Sequence, residues 1–453
     1  MPGFDRISEL PEFLLTQILS YLPTKDSVKT SVLATRWKNL WLNVPVLDID
    51  CSDFPYKNNQ VFFSFIDKFL EINQSRLPKV KIKCMTEEIF GIQDRIGEAI
   101  NRGTQHLDVE SSTFYVDPDT LLYPCVEYMP LNLYTSKTLV SLKLSYSGLE
   151  DPGFVSMPCL KSITFEQVQL RANENLEKII LGCPVLEELT LLRDIDGNFQ
   201  DHDDPFLRVK SWSLKRFIVP LSRDGCDSRG DFTLEIDAPG LEHMSLREDH
   251  FDRIVVKNLT SLFMVDLDVK FLVKFGTFFS PGDLSKRKEI RDFLTGISRV
   301  GHMIISTKTV KALTLYSKGG MIPKFNNLHR LEAEFPGDLL QVLPALLESC
   351  PNLKHLTLTV VYTEENEVFE LRDVPRCFLS TLECVEIKRV HEWEEKEMKV
   401  ATYFLENAAV LKKLILSVTD YPRYVSDSEI YEELCKVTKR SPSCRIILDW
   451  ELC

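Results

Sequence analysis

No run of 18 apolar residues occurs in the 453-residue chain, so no membrane-spanning helix is expected. The opening stretch, MPGFDRISEL, lacks an apolar core and carries acids within its first nine positions. Neither a secretory leader nor a basic transit peptide fits that pattern. The 12 cysteines are scattered, with no Cys-x-x-Cys among them. Reduced, mostly buried thiols are therefore expected, in a protein of the cytoplasm and/or nucleus.

The chemistry-bearing motifs are missing as well. There is no G-x-x-x-x-G-K-[ST] to cradle a phosphate, no G-x-G-x-x-G and no G-x-S-x-G elbow. His391-Glu392 runs on into Trp393, Glu394 and Glu395, so a His-Glu-x-x-His zinc pattern fails at its second ligand. The eight histidines stand apart from one another at no metal-ligand spacing. No catalytic residue, metal or cofactor is expected. The net charge of −13, from 54 Lys+Arg against 67 Asp+Glu, disfavours broad nucleic-acid binding, which depends on basic residues displacing phosphate counterions.

What the chain does have begins with a compact helical segment over residues 4–43. Ser8 can cap a helix and Pro11 suits its first turn. Leu14, Leu15, Ile18, Leu19 and Leu22 then fall at helical spacing. Leu22-Pro23 closes that helix, and Thr24 can cap a second that carries Val28, Val32 and Leu33. A third would carry Trp37, Leu40 and Trp41. Forty residues cannot bury so many large side chains unaided, which leaves apolar surface for something else to cover. The bland alternative is a helical cap on the neighbouring repeats. Phe4-Asp5-Arg6-Ile7-Ser8-Glu9-Leu10-Pro11, Leu14-Leu15, Ile18-Leu19, Leu22-Pro23-Thr24-Lys25-Asp26 and the stretch Thr30 to Trp41 resemble the F-box throughout its length. The sequence departs from the common Asp-Glu and Ser-Lys pairs at Glu12-Phe13 and Ala34-Thr35, and Phe13 is an extra apolar residue. The resemblance implies docking on a Skp-type adaptor and, through it, on a cullin. It assigns Leu10, Pro11, Leu14, Ile18 and Leu19 to the adaptor-facing helix, and Val32, Leu33 and Trp37 to a second contact region.

The next three hundred residues carry a repeat. The pattern L-x-x-L-x-L, with other apolar residues allowed, starts at Leu139, Leu160, Leu186, Leu214, Leu241, Leu259, Leu328, Leu353, Leu382 and Leu411, and more weakly at Val44, Leu77 and Thr104. Most steps run from 21 to 29 residues, but 241 to 259 is 18 and 259 to 328 is 69. Within the long gap Val300 is taken as the strand, preceded by a helix capped by Asp283. Leu313 and Leu315 fall in a connecting segment. Each repeat is a short strand and a return segment that bury their apolar faces only by stacking. Leu189 and Leu191 point inward, while Glu188 and Thr190 point outward, by the period of two. The repeats resemble an irregular leucine-rich-repeat family, and Cys183-Pro184-x-Leu186 and Cys350-Pro351-x-Leu353 are a variant familiar from plant F-box proteins.

Beyond residue 370 the pattern reads strand, helix, strand, helix, strand over 382–387, 394–407, 411–417, 427–439 and 444–448. Val374-Pro375-Arg376-Cys377-Phe378, Leu382-Glu383-x-Val385, Tyr403 to Ala408 and Leu411-Lys412-Lys413-Leu414 resemble the FBD domain, read here as a cap on the last repeat.

The expected fold is therefore α/β: a three-helix F-box over 1–50, an irregular leucine-rich-repeat solenoid or horseshoe over 51–369 and an FBD cap over 370–453. The expected function is that of a non-catalytic, substrate-recognition subunit of a cullin–RING ubiquitin ligase, with an unidentified protein as target and neither nucleic acid nor membrane as partner. The alternative is a repeat scaffold acting outside any ligase. Outward strand positions are the expected target contacts, with Arg216, Arg247 and Arg330 ranked first because arginine is enriched at hot spots, and Glu188 and His355 beside them. Three charged stretches have bland readings: Lys286-Arg287-Lys288 with Arg291 as a solvated helix face rather than a nuclear-import patch, Asp201 to Asp204 as a solvated loop rather than a cation site, and Ser222 to Asp231 as a mobile loop with a lesser prospect of recognition.

Overall fold

The structure, a computed structural model, describes residues 7, 9–54, 59–73, 75–86, 91–115, 123–124, 126–192, 206–221, 232–247, 251–271, 278–280, 282–361, 370–390, 395–418 and 427–450. Ser8, Asp201 to Asp204, Ser222 to Asp231 and His391-Glu392 lie outside the described residues. The chain forms two compact units, one ending at Lys215 and the other beginning at Arg216.

The first unit opens with α1 (Glu12–Leu19) and α2 (Thr24–Lys29), followed by short 3-10 turns at Thr30–Val32, Thr35–Trp37 and Leu40–Asn43. The expected third helix is thus delivered as single turns. Pro11 and Pro23 stand at the N-caps of α1 and α2. Thr24 is the first residue of α2, and its hydroxyl accepts the Asp48 backbone N–H at 2.9 Å instead of capping.

The rest of the unit is a parallel ladder: β1 (Val46–Asp50), β2 (Lys79–Thr86), β3 (His106–Tyr115), β4 (Ser141–Ser145), β5 (Ser162–Glu166) and β6 (Glu188–Leu192), each hydrogen-bonded to the next. Burial alternates with a period of two. Leu142, Leu144, Ile163, Phe165, Leu189 and Leu191 are inside, and the residues between them are half-exposed or, at Ser145, enclosed against Glu166. Returns are helical at α3 (Asn59–Ile72), α4 (Ile92–Asn101) and α5 (Asn173–Leu181). The start of α4 is held by Glu127, whose Oε1 accepts the N–H groups of Gly91, Ile92 and Gln93 at 3.2, 2.7 and 3.1 Å. An acid there complements the positive end of the helix.

In the second unit the ladder comprises β7 (Arg216–Val219), β8 (His243–Leu246), β9 (Met264–Leu267), β10 (His302–Ile305), β11 (Arg330–Pro336), β12 (His355–Val361), β13 (Cys384–Val390), β14 (Lys413–Val418) and β15 (Arg445–Trp450), again parallel throughout. Its helices are α6 (Leu284–Gly296), α7 (Thr307–Ser317), α8 (Leu343–Glu348), α9 (Arg376–Ser380), α10 (Glu395–Asn407) and α11 (Asp427–Lys436). Asp283 caps α6 as expected, its carboxylate accepting the Lys286 N–H at 3.0 Å. Val300 leads into β10, and Leu313 and Leu315 lie on the connecting α7. The strand–helix–strand–helix–strand series from residue 382 onward appears close to where the pattern placed it, and α9 precedes it as an element the pattern did not mark. Both units have the architecture of an α/β solenoid, with no closed barrel.

One repeat start needs correction. The repeat assigned to Leu259 starts at Leu262, because Met244 pairs with Val265 and Leu246 with Leu267. Leu259 and Leu262 are both buried, so both satisfy the letter pattern. The correct start makes the step from Leu241 21 residues and removes the misfit. Some return segments contain strands of their own. Phe232–Asp237 pairs in parallel with Phe251–Lys257, and Gly148–Leu149 with Gln169–Leu170.

The basic cluster on α6 is only in part the solvated face expected: Lys288 and Arg291 are exposed, but Lys286 and Arg287 are buried. Lys286 is 5% exposed and Arg287 6%. The Lys286 ammonium donates to the backbone carbonyl of Asp252 and, at 2.9 Å, to its carboxylate. Arg287 lies over the Tyr316 ring, 5.3 Å from its centroid. The described cysteines are mostly buried, Cys159 and Cys435 being exposed. Burial pushes the thiols of Cys84, Cys183 and Cys377 up to about 12, which keeps them protonated and unreactive.

Two substitutions test this packing. Leu358→Ala, at a fully buried position, is expected to cost about 2–5 kcal/mol in urea unfolding, against less than about 0.5 kcal/mol for an exposed control such as Lys311→Ala. Asp252→Ala, which removes a partner of a buried ammonium, is expected to cost about 3 kcal/mol, more than Lys286→Met, which removes the charge itself.

Candidate functional site

Two surfaces stand out. The first is on the N-terminal helical segment. Leu15, Leu19, Trp37, Leu40, Val44 and Val46 form its core, with Leu10 packed against it. This core is joined to the first helical return, α3: Trp41 stacks on Phe65 and Phe69, and the Asn73 amide donates to the Val44 carbonyl at 3.0 Å. Of the eight residues assigned to adaptor contact, Leu19 (1% exposed) and Trp37 (6%) are therefore core residues, a correction to that reading. Leu15 and Leu19, four apart, make the buried stripe of α1, and its apolar face is wider than that stripe. Leu10 and Leu14 are half-buried and Pro11 is exposed. Ile18 is exposed, and Val32 and Leu33 are 84% and 68% exposed. Phe13, Tyr21 and Leu22 add further exposed apolar surface. Phe13 is visible in the sequence as an extra apolar residue; Tyr21 is found by continuing the Leu14–Ile18 stripe to i+7.

Exposed apolar residues of this density in a short segment mark a contact surface rather than ordinary scatter. The segment is held firmly. Ser27 donates to the Leu19 carbonyl at 3.0 Å, Arg36 to the Leu10 carbonyl at 2.5 Å, and Lys25 to Asp53 at 2.5 Å.

The second surface is the outward face of the strands. In the first unit Lys143 and Glu166 pair at 3.5 Å and Lys83 and Glu110 at 3.1 Å. Glu188 and Thr190 point outward on β6, half-buried. In the second unit the register sorts outward side chains into rows. One row runs Arg216, His243, Met264, His302, Arg330, His355, Cys384, Lys413, Arg445 and holds no acid. The next runs Ser245, Asp266, Ile304, Glu332, Thr357, Glu386, Ile415, Ile447 and holds no base.

The rows engage each other. Glu332 accepts from His302 and from Arg330, both at 2.9 Å. Asp266 accepts from Arg247 at 2.7 Å and from Ser245 at 3.0 Å. The Asp266 hydrogen bond holds the Arg247 guanidinium above its ordinary value, while burial depresses the His243 imidazole and favours its neutral form. A cavity of about 300 Å³ opens here, lined by Arg247, Asp266, Glu332, Glu334, Thr359 and Lys388 among others. Arg216, Arg247, Arg330 and His355 are thus outward and exposed as the alternation required, with Arg247 and Arg330 already engaged by acids of this chain. No group of three metal-ligating side chains gathers among the described residues, and no described helix is long and apolar enough to cross a membrane.

Comparison with known proteins agrees with this geometry. The F-box domain family matches residues 7–48, the family described as "FBD-associated F-box protein At5g56370, LRR repeats" matches 100–274, and the FBD family matches 370–416. An Arabidopsis thaliana FBD-associated F-box protein, At5g27750, is 62% identical over 459 aligned residues covering all of both chains. The Arabidopsis F-box/FBD/LRR-repeat protein At1g13780 is 62% identical over 458, covering 99% of this chain and 98% of its own. F-box/LRR-repeat protein 13 of the same plant is 40% identical over 453, covering 98% and 96%. A helical segment with its apolar surface turned out, a parallel leucine-rich ladder and a closing strand–helix series make this chain a member of the plant F-box/FBD/leucine-rich-repeat family.

Proposed function

We propose that this protein is the substrate-recognition subunit of an SCF-type cullin–RING ubiquitin ligase. The F-box surface docks on a Skp-type adaptor and through it on a cullin. The outward face of the ladder holds a target protein where a ubiquitin-charged partner enzyme reaches its lysines. The chain's contribution is proximity rather than bond chemistry, and the work is done in the cytoplasm and/or nucleus. The domains divide as 1–50, 51–369 and 370–453. The observation that carries the reading is the set of exposed apolar side chains at Phe13, Ile18, Val32 and Leu33, beside a core that already uses Leu15, Leu19 and Trp37.

Co-purification with a Skp-type adaptor tests it. Ile18→Glu/Leu33→Glu alters exposed positions only. It is expected to keep the wild-type circular dichroism spectrum and melting temperature while losing adaptor binding by at least about a hundredfold, as removal of central apolar anchors does. Leu19→Ala is expected to lower stability by about 2–5 kcal/mol. A folded wild type that does not bind the adaptor would leave the chain as a repeat scaffold outside any ligase.

A further inference from the structure

The first outward row of the second ladder holds no acid anywhere, and on the last two strands the second row holds none either. From β11 to β15 the first outward row reads Arg330, His355, Cys384, Lys413, Arg445. Lys354 and Lys412 stand one residue earlier on the rim, and Lys412 is paired with Glu383 at 2.8 Å. Arg330 is answered within the chain by Glu332 in the next row. Lys413 and Arg445 are not: the next outward positions on their strands are Ile415 and Ile447, both half-buried. Both cations are exposed, as is His355. None of the three forms an ion pair with a described residue. The first row of this edge is cationic in a chain whose net charge is −13. Ile415 and Ile447 lie directly beside its uncompensated charges, and Glu386, in register with Ile415, is occupied by the hydroxyls of Thr357 and Ser417 at 3.1 and 3.2 Å.

We propose that the first outward row of β11–β15 binds a short acidic peptide segment of the target, with carboxylates on Lys413 and Arg445 and an apolar side chain on Ile415 and Ile447. The proposal rests on the outward face being the target-binding face, and it makes the FBD strands part of the recognition surface rather than only a cap. Its scale fits. Four inter-strand steps at ~4.8 Å span about 19 Å, which an extended segment of about six residues covers at ~3.3 Å each. Acids at alternate positions of such a segment repeat at about 6.6 Å and meet the row near Arg330, His355, Lys413 and Arg445. A long polyanion fits less well, because the surrounding acidic surface repels it at distances a short segment does not sample.

The test uses the full-length chain and fluorescence anisotropy with a labelled heptapeptide alternating glutamate and leucine. Binding is expected, weakening as salt is raised from about 50 to about 300 mM. Lys413→Glu/Arg445→Glu is expected to weaken it at least tenfold with the fold intact by circular dichroism. Lys288→Glu/Lys311→Glu, the same charge change on exposed positions of α6 and α7, should leave it within twofold. No binding, equal binding of a lysine–leucine heptapeptide, an equal effect of the two double variants, or tighter binding of a DNA duplex would each overturn the proposal. A phosphoserine version of the peptide separates the sources of negative charge: binding tenfold tighter than glutamate supports a phosphorylated segment, and comparable binding supports Asp and Glu. Adaptor co-purification of the Lys413→Glu/Arg445→Glu variant should be unchanged. Acidic-peptide binding by a wild type that fails to bind the adaptor would sink the ligase reading and leave this site standing.

Discussion

The inward side chains of a parallel ladder carry the rest of the molecule. A strand of four to eight residues with one apolar face cannot stand alone, and burying that face against its neighbours in the stack is the favourable term. Leu331, Leu356, Val385 and Leu414 meet in register on successive strands, all essentially without exposure. Because the side-chain period is two, fixing those residues inward also fixes their neighbours outward. The rows of Arg, His, Glu and Lys on the other face are a by-product of hydrophobic register. Their relative positions are set before any partner arrives.

The same constraint leaves the outward positions less tied to the fold than the inward ones. An outward residue is tied to the fold through its backbone and, at places such as Asp266, through a local partner. A local pairing such as Arg330 with Glu332 holds side chains in place without deciding the fold, as exposed ion pairs contribute little to stability.

Much of this was legible in the sequence because the period of a ladder is short and repeated. The strands leading from Val44, Leu77 and Thr104 appeared even where their letters were weak, since Leu47, Val80 and Leu107 fill the same inward place. Where two apolar residues three apart are both buried, as at Leu259 and Leu262, the letters alone do not choose a register and the spacing must. The F-box was recognisable as a motif, but its division into core and surface was not. Leu19 and Ile18 are neighbours on one helix, and only packing against Trp37 and Leu40 decides which goes in. Lys286 was misread for a related reason: its partner, Asp252, is 34 residues away, and a charge run looks solvated until the opposite charge is found across the fold.

One junction has a further effect. β1 is the terminal strand of its ladder among the described strands, and a terminal strand offers unpaired N–H and C=O groups to any passing chain. The Thr24 hydroxyl takes up the Asp48 N–H, and α2 lies against β1. The N-terminal helices thus guard that edge. A shortened form of the protein beginning after α2 would bare that strand edge to self-association, so its aggregation state reports on the fold.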